Sequence, residues 1–192
     1  MGKMKGKSRL MAMAAVMGLG LMMLAAGGKV KVSDTLIAHE VINAAPEEVI
    51  AWLGTDGEGF SINKDTEVIT DPWWPGAEFK TLDGLTAGQS LTYTLSYAGI
   101  KFSGEAVRIT PPLTRPSVPS TTKYIGDHDA TLTILVVPVK EGSKLILVAD
   151  YEIEVAAAKA QAVKHDIEQH MQNAVKIIKQ GVEKKKAAQN MK

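Results

Sequence analysis

One stretch near the C-terminus restricts the possible folds more than any other. From about Ala156 to Lys186, apolar side chains return as Ala160, Val163, Ile167, His170 with Met171, Ala174, Ile178 and Val182. This i, i+3/i+4, i+7 spacing draws one continuous stripe along a helix. Lys164, Asp166, Lys176, Lys179 and Glu183 fall on the opposite face. At ~1.5 Å per residue such a helix is roughly 45 Å long, and its stripe needs a broad surface to cover it. Upstream lie strand patterns and no second long helical pattern. The expectation is an α+β domain in which a curved antiparallel sheet of about seven strands wraps around one long C-terminal helix. A single helix does not fill a concave sheet, so a cavity between the two is expected as well.

A chain of 192 residues, 45% hydrophobic and 22% charged, suits one domain with a substantial core. The net charge of +1 conceals an asymmetry: Lys3, Lys5, Lys7 and Arg9 precede the first acid, Asp34. Without residues 1–27 the balance becomes 18 basic against 21 acidic residues, or −3, which leaves no nucleic-acid footprint. A basic tail remains, with Lys176, Lys179, Lys184, Lys185, Lys186 and Lys192 opposed only by Glu183. It reads as a solvated helix end favoured by the helix dipole, with contact to anionic lipid headgroups as the alternative.

The basic N-terminal residues lead into the uncharged run Leu10–Ala26, followed by Ala25-Ala26-Gly27-Gly28 and then Lys29. That is the order of a secretory signal peptide, with Ala25 at −3 and Gly27 at −1 of a cleavage site. An uncleaved membrane anchor is the alternative, because the apolar run sits at the short limit for spanning a bilayer. The domain proper is therefore taken as residues 28–192, exported to the periplasm or outside the cell. The absence of cysteine excludes disulfides, thiol catalysis, cysteine–metal sites and lipidation of a lipoprotein type.

The strand pattern Lys31–Asn43 is followed by Pro46-Glu47-Glu48-Val49-Ile50-Ala51-Trp52-Leu53-Gly54. Pro46 suits a first helical turn, Glu47 and Glu48 favour its positive end, and Val49, Trp52 and Leu53 form an inward patch that Gly54 terminates. The run His39-Glu-Val-Ile-Asn-Ala-Ala-Pro-Glu-Glu-Val-Ile-Ala-Trp-Leu53 resembles the opening of the START-like, polyketide-cyclase-like superfamily of helix-grip proteins. The specific likeness covers about fifteen positions, and the order of elements extends it over the whole exported portion. The motif is structural. It implies a helix-grip fold and a pocket, and in a superfamily that hosts both binders and enzymes it implies no activity.

In the middle of the chain, Gly54–Asp65 reads as loop or a short second helix, while Glu67–Thr70 and Glu78–Leu82 read as strands. Trp73-Trp74 is held between Pro72 and Pro75, either as packing or as a pocket wall. Leu91, Tyr93, Leu95 and Tyr97 alternate with polar residues, as in a half-buried strand. The returning strand Ile100–Thr110 changes parity between Phe102 and Val107, so a bulge at Gly104 is expected. Thr121–Ile125, Ala130–Val139 and Lys144–Glu154 complete the sheet, with Leu145, Leu147, Ala149, Tyr151 and Ile153 facing inward.

Little here points to catalysis. His165 and His170 are five apart and do not share a helical face as metal ligands do, and with Glu168 they make too few ligands, so no metal or other cofactor is expected. Asp127-His128-Asp129 reads as a turn between strands, with an imidazole oriented by the two aspartates as an acid/base as the alternative. Trp73, Tyr93, Tyr97, Leu147, Tyr151, Ile167, His170 and Met171 are the expected lining of the pocket. Two functions fit: an exported carrier of a hydrophobic small molecule, lipid- or polyketide-like, or a cyclase/dehydratase-type enzyme using His170 or Tyr151 in the same pocket. A structural module with a collapsed pocket is a third. Membrane contact would come through the N-terminal segment or the basic tail. Intact mass of protein from the membrane-external fraction should match a chain beginning near Gly28. Recovery of the full-length chain in membranes would instead establish the anchor.

Overall fold

The computed structural model describes residues 28–54, 59, 61–63, 68–70, 74, 76–80 and 90–191. The expected leader, residues 1–27, lies outside them, as do Trp73 and most of the expected loop 54–65. Among the described residues no helix is long and apolar enough to cross a membrane.

The sheet contains strands β1 (Lys29–Ile42), β2 (Ser61–Asn63), β3 (Val68–Thr70), β4 (Glu78–Lys80), β5 (Ser90–Tyr97), β6 (Ile100–Arg108), β7 (Ser120–Gly126), β8 (His128–Val139) and β9 (Gly142–Ala156). Helix α1 (Pro46–Leu53) follows β1, and α2 (Ala160–Asn190) follows β9 through a short 3-10 turn. The strand order is β1-β9-β8-β7-β6-β5-β4-β3-β2, and every neighbouring pair is antiparallel. This is the expected curved sheet gripping one C-terminal helix, with nine strands among the described residues. The additional β2 is three residues long, too short for a period-2 pattern to register.

Alternation built most of this sheet as the sequence implies. Leu91, Tyr93, Leu95 and Tyr97 of β5 are all buried, as are Leu145, Leu147, Ala149, Tyr151 and Ile153 of β9. The expected bulge at Gly104 is absent: β5 and β6 pair without interruption from Ser90↔Val107 to Tyr97↔Ile100. Phe102 and Ala106 face inward throughout, and Ile109 is simply exposed. Gly104 has a different purpose. It pairs with Gly126, and a Cβ on Gly104 would lie 2.1 Å from the Ile125 carbonyl oxygen. Gly126, at φ 155°, would likewise place a Cβ 2.3 Å from the Ser103 carbonyl. Two facing glycines let β6 and β7 approach more closely than any side chain permits.

Helix α2 buries Val163, Ile167, Met171, Ala174, Val175, Ile178 and Val182 against the concave face. The polar residues beside this stripe do not all point to solvent, contrary to the simple two-face reading. Lys164 Nζ sits 2.6 Å from Asp34, Lys179 Nζ 3.4 Å from Glu40, and Glu183 accepts the Asn43 N–H at 3.0 Å. Lys186 donates to the Asn43 carbonyl at 2.8 Å, so part of the basic tail is docked on the end of β1. Asp166 accepts the backbone N–H of Ala98 at 2.7 Å, tying the helix to the β5–β6 hairpin turn, where Ala98 and Gly99 both have positive φ. Lys176 remains exposed.

At the other end, α1 begins at Pro46, and the Glu48 carboxylate accepts the Ala45 N–H at 2.6 Å. Gly54 ends it in an extended conformation, φ −71° and ψ 165°, rather than through a left-handed cap. Trp52 of α1 is 4% exposed and lies directly over Gly181 of α2. A Cβ on Gly181 would stand 2.3 Å from the Trp52 ring. In an exposed helix Gly→Ala gains up to ~1 kcal/mol of propensity. Here the clash should outweigh that gain, because overpacking costs about 1–3 kcal/mol. Gly181→Ala should therefore unfold at lower denaturant concentration than the natural chain. An increase in stability would mean that Trp52 does not rest on this glycine.

Candidate functional site

Between the inner face of the sheet and α2 lies a narrow cavity of about 40 Å³. Its aromatic walls are Trp74, Phe79, Tyr97, Tyr124, His128 and Tyr151. Its aliphatic walls come from Leu95, Leu132 and Ile153 of the sheet and Ile167 of the helix. The cavity exists because of three small residues. Ala77, Ala130 and Ala149 line it where longer side chains would close it, and Ala149 pairs across the ladder with Leu132, Ala130 with Tyr151. The volume exceeds the ~10–15 Å³ that one water requires and is far below the ~300–1,000 Å³ of a drug-sized ligand site. A larger occupant must displace side chains at the aromatic wall.

The expected lining residues divide into three groups. Tyr97, Tyr151 and Ile167 line the cavity. Leu147 and Met171, which share their parity and helical stripe, are buried deeper, at 0% and 1% exposure, and pack the core without reaching the cavity. Tyr93 stands one residue removed, behind His128. His170 also stands outside: its Nδ1 is 2.8 Å from the Asp166 carbonyl one turn earlier, and its ring packs on Trp74 and edge-on against Tyr97. Trp73 lies outside the described residues, and its neighbour Trp74 forms the wall.

The residue that the expected lining leaves out is His128. Its flanking aspartates point to a turn, yet it opens β8 with its side chain inward and is 6% exposed. Its Nδ1 lies 3.1 Å from the Tyr93 hydroxyl. Its ring stacks parallel to Tyr124 and meets Phe102 and Tyr93 edge-on. One signal in the chain could have found it. The alternation of β8 continues back through Ala130 to His128. In the fold Asp127 is used elsewhere, accepting the Ser103 N–H and hydroxyl at 2.9 Å.

Burial governs the chemistry of this cluster. It holds the His128 pKa below the usual imidazole value, against the opposing pull of Asp127 and Asp129. Burial, reinforced by the same two carboxylates, pushes the Tyr93 hydroxyl up to about 12. It also raises Tyr97, whose hydroxyl is bonded to the Trp74 side chain. Tyr151 is raised chiefly by burial and then by Asp34. Its hydroxyl is buried and has no hydrogen-bond partner among the described residues. The site is thus lined by neutral hydrogen-bonding groups at physiological pH. Among the described residues no lysine or arginine lines it, and Lys164, the cation that acts on Tyr151, is committed to Asp34 at 2.6 Å. Among the described residues no group of three acidic or histidine side chains converges as a metal site.

The depressed pKa of His128 has a defined consequence for stability. Above the unfolded-state value of 6.5 the ring is neutral in both states and contributes nothing pH-dependent. As pH falls through 6.5 the unfolded chain takes up a proton that the folded site resists, so the fold loses stability. Unfolding titrations stepped downward from neutrality should show this slope in the natural protein and a shallower one in His128→Gln. Identical slopes would place the imidazole in water.

No protein-family description matches the chain, and no curated protein sequence does. Among solved structures, the fold is similar to the crystal structure of TTHA0849 from Thermus thermophilus, with a TM-score of 0.56 and 15% identity over 78% of this chain and 97% of that one. It is also similar to Ara h 8.0201, with a TM-score of 0.51 and 14% identity over 79% and 98% of the respective chains. At these identities the likeness concerns architecture, and the architecture is helix-grip.

Proposed function

We propose that residues 28–192 form an exported carrier of the START-like, polyketide-cyclase-like kind that binds a hydrophobic small molecule between the sheet and α2. The observation that carries this reading is the alanine-lined gap at Ala77, Ala130 and Ala149 in an otherwise close-packed core. Voids of this kind reduce stability, and one bordered by aromatic rings and a buried hydroxyl without a partner among the described residues is better explained by an occupant than by packing. Export rests on the charged, apolar and small-residue order of residues 3–28. The enzyme alternative loses one of its two candidate groups, since His170 stands outside the cavity with its ring held by Asp166, Trp74 and Tyr97.

Native mass spectrometry of protein purified from its producing cell should reveal a co-purifying apolar compound. Ala149→Val adds two methyl groups to the void on a strand that favours β-branched side chains. It should keep or raise the melting temperature of the empty protein and weaken the compound's binding at least tenfold. Ligand at a hundredfold excess over its dissociation constant should stabilise the natural chain by about 2.7 kcal/mol. Unchanged binding in Ala149→Val would place the ligand elsewhere.

A further inference from the structure

We infer that the ligand is uncharged and carries a carbonyl-type hydrogen-bond acceptor, which Tyr151 recognises from inside the cavity. This rests on the carrier reading and specifies its substrate class. Tyr151 is 7% exposed and lines the cavity, and its hydroxyl is buried with no partner among the described residues. A buried hydroxyl without a partner is destabilising, so its retention on β9 calls for an explanation that apolar packing alone does not supply.

The surroundings determine what kind of partner completes it. Tyr151 pairs across the sheet with Ala130 on one side and Asp34 on the other. Ala130 leaves open space beside the ring within the cavity. Asp34 is turned to Lys164 at 2.6 Å and to the Thr35 N–H at 2.8 Å, so neither ion reaches into the cavity as a free charge. A carboxylate ligand such as a fatty acid would enter a space walled by aromatic and aliphatic side chains with no cation to meet it among the described residues, and desolvating an unpaired charge there is strongly unfavourable. A plain hydrocarbon would fit the walls but leave the Tyr151 hydroxyl unsatisfied. A ketone, ester or quinone oxygen meets both conditions. It accepts the Tyr151 O–H while the rest of the molecule lies among Tyr97, Tyr124, Leu132 and Ile167. Of the other polar groups at the wall, the Tyr97 hydroxyl is bonded to Trp74, and His128 is held neutral by burial and already engages Tyr93 through Nδ1.

Three probes with one ring system separate these cases: acetylnaphthalene, ethylnaphthalene and naphthoate. The natural protein should bind the ketone about tenfold more tightly than the hydrocarbon, the difference made by one hydrogen bond to a buried hydroxyl. The carboxylate should bind more weakly than both at neutral pH. In Tyr151→Phe the ketone should fall to the affinity of the hydrocarbon, whose own affinity should not change. That variant deletes only an unsatisfied hydroxyl, so its melting temperature should be equal to or above that of the natural chain. Equal binding of ketone and hydrocarbon, a ketone preference that survives Tyr151→Phe, or tightest binding of the carboxylate would overturn the inference. If the hydrocarbon also binds and Ala149→Val abolishes that binding, the carrier reading survives such a result. If none of the three probes binds, both fall together.

Discussion

Everything in this fold depends on one contact, the apolar stripe of α2 lying in the concavity of the sheet. Seven of its side chains, from Val163 to Val182, are buried there. At about 1.5–3 kcal/mol for each large apolar side chain, this interface outweighs the ion pairs that flank it. Lys164–Asp34 and Lys179–Glu40 lie at the solvent-facing flank of the helix, where screening by water leaves ion pairs weak. Those pairs set the lateral position of the helix against β1, and the Asp166–Ala98 bond sets its position against the β5–β6 turn. Trp52 resting on Gly181 fixes the C-terminal half. The helix is therefore held at several points along its length, and the sheet must bend to meet it.

That geometry also produces the cavity. Toward the C-terminal half of α2, Ile178 and Val182 meet a core of Ile42, Val49, Val136 and Leu145 in which nothing is exposed. Toward the N-terminal half, Ile167 faces Ala149, Ala130 and Ala77, and the space stays open. The same end gathers the rings of Trp74, Phe79, Tyr97, Tyr124, His128 and Tyr151. One half of the interface is filled by aliphatic side chains, and the other contains a void beside the buried Tyr151 hydroxyl, which has no partner among the described residues. Local departures of this kind from optimal packing mark functional regions in otherwise consistent folds.

The site is only partly legible in the chain, and particular residues show why. Tyr97, Tyr151 and Ile167 are identifiable by face, and each does line the cavity. Leu147 has the same parity as Tyr151 and Ala149, and Met171 lies one turn from Ile167, yet both are sealed in the core. Period 2 and period 3.6 say which way a side chain points, not whether anything fills the space before it. His128 is obscured by its two flanking aspartates, which suggest a turn. The turn is real but ends one residue earlier, and alternation then carries His128 inward.

Local pattern was enough for the class of fold, the long helix and the face it buries, the inward rows of β5 and β9, and the start of α1 at Pro46. All of these follow from periodicity and from the backbone preferences of single residues, which a neighbour far along the chain does not alter. The remaining features came into being only with the packed molecule. Gly104 and Gly181 show no special conformation of their own, and their necessity appears only when Gly126 and Trp52 are brought against them. The void arises because Ala130 on β8, Ala149 on β9 and Ala77 just ahead of β4 meet at one place opposite Ile167. Whether a small residue leaves a gap depends on the size of partners tens of residues away, and that information enters only when the strands are laid side by side.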